Sequence, residues 1–370
     1  MSDILSFIPL ASPDIREVDI QNVLDVLSSG MLIQGQKVLK LEHQFATFSN
    51  TSHAIAVCNG TATMHMVLKA LGIGEGDEVI VPAFSYIATA NVVELVGATP
   101  VFVDIELATF NINSTLIAQK ITSKTKAIIP VHEFGLACNI IEICEIAKKH
   151  NIYVIEDAAC ALGAHQNNQK VGSFGIAGSF SLHPRKSITS GEGGIITSND
   201  QALSVKLRQL RNHGIEMEEG KMVFEEAGFN YRLTDIQAAL ASSQFERIED
   251  TLAYKNELAA VYFTEIKNDK ITVPFVPSDR NHSWQTFHIL LDESMDQAEV
   301  IDKLKQNNIG SNYGAQCIPA QKYYKSKYNL NYKQDYRNAY TAYNQGIALP
   351  LYEKLNKSQI QYISKIINSL

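Results

Sequence analysis

The segment SLHPRKSITSGEGG (181–194) sets Lys186 between an apolar run and a cluster of glycines. Gly178 to Leu182 can form a strand, Pro184 breaks it, and Lys186 lies just past the break. A lysine held there and shielded from water gives up its proton more readily and becomes a nucleophile. Arg185 beside it would add to that effect; the plain alternative is a solvated loop cation. Three other features should reach the same sheet edge, because ligands of parallel α/β sheets bind at the carboxyl ends of the strands. Gly60-Thr61-Ala62 stands at a strand-to-helix junction. The unpaired amides and positive dipole end of a helix start seat a phosphate there, unless Thr61 is only an N-cap. Asp157 ends the run IYVIED. A carboxylate buried at a strand exit wants a cation or a charged heterocycle, although it could instead cap the following turn. Tyr86, in PAFSYIATAN, follows another strand; its ring could stack on a flat ligand or pack in the core.

Ser181 could donate to the same phosphate as Thr61. Together these residues describe a flat, phosphorylated ligand with a ring nitrogen that wants an acid and an aldehyde that wants a lysine. Pyridoxal phosphate has those handles.

The elements that must position them alternate. HAIAV (53–57) reads as a strand, and after it Thr61 opens a helix with apolar residues at 64, 67, 68 and 71. GIGEGDE follows that helix, so its glycines read as a turn rather than a dinucleotide fingerprint. Strands at 78–82, 99–104, 126–131 and 152–157 alternate with helices around 86–96 and 139–150. Short β-branched runs separated by helices predict a parallel sheet covered on both faces. Beyond residue 200, ALSVKLRQLRNHG and LTDIQAALASSQFERIED each read as one helix, the second capped by Thr234 or Asp235. From about 255 the texture changes to a strand at 285–292, a helix at 297–308 and a terminal helix from 357. The division drawn is a large domain over 1–250, N-terminal segment included, and a smaller α+β domain over 251–370.

The 370 residues allow two domains, and no apolar run is long enough for a membrane span. A net charge of −7 without a basic block argues against nucleic-acid binding. Five cysteines without a C-x-x-C pair predict neither a disulfide framework nor a metal site. The first residues lack a basic stretch followed by a long apolar core, so a cytoplasmic setting is expected.

Longer blocks then carry a resemblance. NGTATMHMVLKALGIGEGDEVIVPAFSYIATANVVELVGATPVFVD, VIEDAACALGA, VGSFGIAGSFSLHPRKSITSGEGGIITSND, LRNHG, NYRLTDIQAAL and ALPLY occur in this order. In these blocks, from about residue 8 to the end, the chain resembles the DegT/DnrJ/EryC1/StrS family of nucleotide-sugar aminotransferases. The resemblance implies an α/β pyridoxal-phosphate-dependent transferase of fold type I. Such a fold has a mostly parallel central sheet flanked by helices and a smaller C-terminal α+β domain.

It also implies roles. Lys186 bonds the cofactor aldehyde and Asp157 pairs with the ring nitrogen. Tyr86 stacks on the ring, and Gly60, Thr61, Ala62 and Ser181 hold the phosphate. Asn230 reaches the phosphate of a neighbouring subunit in a homodimer with shared sites. Arg232 contacts a carboxylate or only braces its loop. Many relatives carry glutamine three residues after the aspartate, on the cofactor's ring oxygen. Cys160 stands there in this chain, a poorer hydrogen-bond donor or simply a small packing residue. Acceptor recognition falls to the 33–36 loop, His183, and Tyr313 and Gln316 of SNYGAQ.

The activity implied is ping-pong transfer of an amino group from L-glutamate to a nucleotide-linked 4-keto-6-deoxy sugar. The product would be an amino sugar for surface polysaccharide such as O-antigen; a 3-keto acceptor is the second reading. Sugar dehydratases of the family replace the lysine with histidine, so Lys186 favours transamination. A cofactor-binding regulator without turnover is the reading from another class, and the Asp157–Lys186 pair argues against it.

Overall fold

The computed structural model describes residues 6–370. Its centre is a seven-stranded sheet in the order His53–Val57, Gly194–Ser198, Ala177–Ser181, Tyr153–Asp157, Thr125–Ile128, Glu78–Pro82, Thr99–Val103. Gly194–Ser198 runs antiparallel to both neighbours, and every other pairing in the sheet is parallel. Val79, Ile80 and Val81 are all fully buried, as a strand covered on both faces requires. Helices Gly60–Ala70, Ala88–Leu95, Ile140–His150 and Gln201–Arg211 follow strands of this sheet and flank it. The fold class read from the sequence holds.

A second core gathers around three antiparallel strands, Ile271–Thr272, Phe287–Leu291 and Gly346–Leu349. Leu258 and Tyr262 of helix Ile248–Glu265, Leu304 of Gln297–Gln306 and Ile360 and Ile363 of Lys357–Asn368 pack into it. Two segments cross the division drawn at 250/251. Ile8 is buried in the C-terminal core, because its amide donates to the Asn308 carbonyl at 2.8 Å and its carbonyl accepts from Gly310 at 2.8 Å. In the other direction, Tyr324, Tyr336, Ala339 and Ala342 pack into the core of the large sheet.

LTDIQAALASSQFERIED is two helices rather than one. Asp235–Phe245 is capped by Thr234, whose hydroxyl accepts from the Gln237 amide, and Ile248–Glu265 starts afresh. The break at Arg247 lets its guanidinium grip Asp19 of helix Glu17–Ser29 through two bonds of 2.9 and 2.7 Å. A second ion pair ties the helices to the sheet's edge. Glu42 accepts from Arg211 at 2.6 Å, from Arg208 at 2.8 Å and from the Ala56 amide at 2.9 Å. The Glu42 and Arg211 side chains are each 5% exposed. Glu42→Ala strands the Arg211 charge in the interior and is expected to cost about 3–5 kcal/mol in a denaturant melt. A cost under about 1 kcal/mol would contradict this account.

Candidate active site

The strand Ala177–Ser181 delivers the lysine. Beyond Leu182 the chain turns, and the Lys186 amide donates to the His183 carbonyl at 2.9 Å. Pro184 sits inside that turn. The Ser181 hydroxyl accepts from the His183 amide at 3.3 Å, and His183 Nδ1 accepts from the Arg185 amide at 3.3 Å. Arg185 is exposed, whereas Lys186 is half-buried and its Nζ donates to Cys160 Sγ at 2.9 Å. Burial pushes the Cys160 thiol up, and the Lys186 charge offsets part of that. Burial holds the His183 imidazole below its ordinary value, against the pull of Glu192.

Asp157 closes the neighbouring strand and is buried. Its Oδ2 accepts from the Thr89 hydroxyl at 2.9 Å and its Oδ1 from the Ala159 amide at 3.2 Å. Burial still pushes its carboxyl up, and these bonds, with the Lys186 charge, pull it back only in part. A carboxylate so placed is under-compensated and suits a cationic partner.

Helix Gly60–Ala70 begins beside the lysine strand. Its N-cap is Asn59, whose side chain accepts from the Ala62 amide at 2.8 Å, so Thr61 is not the cap. A Cβ on Gly60 would stand 2.8 Å from the Ser181 Cβ. Only glycine lets the helix start approach the strand end this closely, which sets the Ser181 side chain against the first residue of the helix. The 230–232 segment runs alongside: Tyr231 O accepts the Cys58 amide at 2.9 Å, and Arg232 bridges to Val57. Arg232 Nη1 donates to Asn212 Oδ1 at 2.5 Å, a contact that braces the segment. Asn230 is exposed at the surface.

Tyr86 is 67% exposed, so it does not serve the core. It follows the short strand Phe84–Ser85, which pairs antiparallel with Gln316–Cys317 in the register Gln316↔Ser85. That pairing carries SNYGAQ to within a residue of Tyr86. Gln316 Oε1 is buried without a hydrogen-bond partner among the described residues, and Tyr313 stands edge-on to Tyr343 at 5.4 Å. The 33–36 loop is pinned by Asp235, which accepts from the amides of Gly35 (2.8 Å), Lys37 (3.2 Å) and Val38 (3.0 Å).

Two site residues escape the sequence reading. Thr89 falls on the buried face of Ala88–Leu95, and a hydroxyl among Ala90, Val92 and Val93 had to have a partner. Glu133 is the lone acid in PVHEFGLA, just past a strand, and it is 4% exposed.

These groups fit pyridoxal phosphate. They supply an under-compensated buried carboxylate, an amine, a helix start beside a hydroxyl, and an exposed ring. The model of the DegT/DnrJ/EryC1/StrS aminotransferase family matches residues 13–368. The chain belongs to that family. This aminotransferase is 40% identical to the GDP-perosamine synthase of Caulobacter vibrioides, over 80% of each chain. It is 34% identical to the spore coat polysaccharide biosynthesis protein SpsC of Bacillus subtilis, over 98% of this chain and 97% of that one. The PLP form of Streptococcus pneumoniae Spr1654, a putative sugar aminotransferase, superposes with a TM-score of 0.93 at 29% identity, covering 98% of both chains. The protein is a pyridoxal-phosphate-dependent sugar aminotransferase. No helix among the described residues is long and apolar enough to cross a membrane.

Proposed function

We propose that the enzyme transfers an amino group from L-glutamate to a nucleotide-linked 4-keto-6-deoxy sugar, making a 4-amino sugar for surface polysaccharide in the cytoplasm. The observation that carries the chemistry is the meeting of Lys186, Asp157 and the Gly60 helix start on one sheet edge. The choice of sugar leans on the likeness to a GDP-perosamine synthase.

Gly60, Thr61, Ala62 and Ser181 would hold the cofactor's phosphate, Tyr86 its ring face, and Asp157 its ring nitrogen. When bound, the cofactor supplies the electron sink for the bond that breaks at the donor's α-carbon. Lys186 Nζ does the proton work: it takes the α-proton and returns it on the cofactor side, then runs the sequence backwards with the keto sugar. Cys160, at 2.9 Å from Nζ, accepts a hydrogen bond that orients the amine without neutralising it. His183, Tyr313, Gln316 and the 33–36 loop would contact the acceptor, and Arg232 stays with its bracing bond to Asn212.

A homodimer with shared sites belongs to the same proposal, with Asn230 reaching the partner's cofactor phosphate. Exposed Val18, Leu24 and Leu27 on Glu17–Ser29, and exposed Met217, Met222 and Phe224 on the hairpin 215–224, support it as unpartnered apolar surface.

The test is purified enzyme, pyridoxal phosphate and glutamate against a panel of UDP-, GDP- and dTDP-linked 4-keto and 3-keto sugars, read by mass spectrometry. At least one 4-keto sugar should give its amine, with 2-oxoglutarate in equal amount. Turnover confined to 3-keto sugars would overturn the position assigned. No spectral change with glutamate would overturn the donor.

A further inference from the structure

We propose that Glu133 is a further active-site residue: it forms a two-carboxyl unit with Asp157 that shares one proton, and it carries that proton so that the negative charge stays on Asp157. The proposal rests on the reading of Asp157 as partner of the cofactor's ring nitrogen.

The backbone puts the two side by side. The Asp157 amide donates to the Pro130 carbonyl at 2.9 Å and the His132 amide donates to the Asp157 carbonyl at 3.0 Å. Glu133 therefore leaves the sheet next to Asp157. Its own amide donates to Asn111 Oδ1 at 2.9 Å. The next two residues turn with positive φ, 55° at Phe134 and 105° at Gly135, and a Cβ on Gly135 would come within 2.8 Å of Ser283 Oγ. The turn is fixed from both sides and buries the Glu133 side chain, whose Oε2 has no hydrogen-bond partner among the described residues.

Two hydroxyls connect the carboxyls. Thr89 Oγ1 donates to Asp157 Oδ2 at 2.9 Å, Ser85 Oγ lies 3.2 Å from Thr89 Oγ1, and Ser85 also faces the Glu133 carboxyl. Buried carboxyls this closely coupled do not both ionise, and the pair titrates as a unit. The charge belongs where hydrogen-bond donors stabilise it. Asp157 has the Thr89 hydroxyl and the Ala159 amide, whereas Glu133 has an orphan oxygen that a carboxylate tolerates poorly.

Burial first, and then the Asp157 charge, push the Glu133 carboxyl up to about 8, while Lys186 and Ser85 pull it down. The other groups around it add no second cation. Burial pushes the Cys160 thiol up. His282 and His288, which line a small cavity with Glu133, are held down at about 3 by burial. His132 is committed to Glu156 at 3.1 Å and to the Cys138 amide at 3.1 Å. Because the folded chain keeps a proton that an unfolded glutamate has lost, stability falls as pH rises from about 4.5 to about 8.

The test is infrared difference spectroscopy at pH 6 on the loaded enzyme, with the cofactor-free chain alongside, for wild type, Glu133→Gln and Asp157→Asn. Wild type should show the carbonyl stretch of a neutral buried carboxylic acid, titrating near pH 8. The band should vanish in Glu133→Gln. It should persist in Asp157→Asn but titrate at lower pH, since the neighbouring charge is gone. The melting temperature of Glu133→Gln should gain on wild type between pH 5 and pH 8. A band that survives Glu133→Gln and disappears in Asp157→Asn places the proton on Asp157 and overturns the proposal. Absence of the band in wild type overturns it as well. Full turnover by Asp157→Asn would remove the ring-nitrogen assignment and leave the infrared result standing, so the two failures are distinct.

Discussion

Lys186→Ala is expected to abolish multiple turnover, with kcat lowered by at least about 10⁴-fold. The variant removes both the nucleophile toward the cofactor aldehyde and the base that moves the α-proton, and no second amine stands ready among the described residues. Arg185 is exposed, and Lys255 is committed to Ser187 at 3.1 Å and Glu353 at 3.3 Å. Lys186→Arg should fail nearly as completely, because a guanidinium holds its proton at any working pH. Two measurements check this. Borohydride reduction followed by peptide mass spectrometry should find the cofactor on the Lys186 peptide in wild type and on no peptide of the variant. The melting temperature of the cofactor-free variant should stay close to wild type, since the lysine is half-buried and its hydrogen bond is to a thiol. Robust repeated turnover by Lys186→Ala would refute the assignment.

Asp157→Asn is expected to separate activity from stability. The carboxylate's charge is what a protonated ring nitrogen requires, so turnover should fall by about 10²–10³-fold. Asparagine's carbonyl can still accept from the Thr89 hydroxyl, at the loss of the longer bond from the Ala159 amide. The cofactor-free protein should become more stable. Burial raises the Asp157 carboxyl above its ordinary value, so holding it ionised costs the fold free energy at neutral pH, and the cost grows as pH rises above about 4. The gain should therefore be larger at pH 8 than at pH 4 in paired melts. Loss of both activity and stability would show instead that Asp157 is a structural carboxylate. A change that raises stability while lowering activity is the behaviour of a group kept for chemistry.

The strand-and-helix alternation was legible because buried parallel strands are short apolar runs and their helices carry 3.6-residue spacing. The strand carrying Asp157 and the turn carrying Lys186 were readable for that reason. Features set by packing between distant segments were not. Nothing local reveals that Gln316 pairs with Ser85, or that Asp235 leaves the capping of its own helix to Thr234 and binds the amides of Gly35, Lys37 and Val38 instead. The single helix expected over 233–250 breaks at Arg247, whose guanidinium meets Asp19, more than 200 residues earlier, a partner no local pattern points to. Thr61 is a good cap by residue type, but the asparagine two places before it takes that role. Glu133 carries no local signal, because an acid after a strand usually meets water and the turn that buries it depends on Ser283 and Trp284.

The link between Ile8 and the Asn308–Gly310 backbone has a consequence for how the protein is made. The C-terminal core cannot be completed from its own end of the chain, because one of its side chains is synthesised near the start. At about 5–20 residues per second, Ile8 waits on the order of 15–60 s for its partners to leave the ribosome. Through that interval the Ile8 amide and carbonyl lack the Asn308 and Gly310 groups they bond in the folded protein, and its side chain lacks the core that buries it.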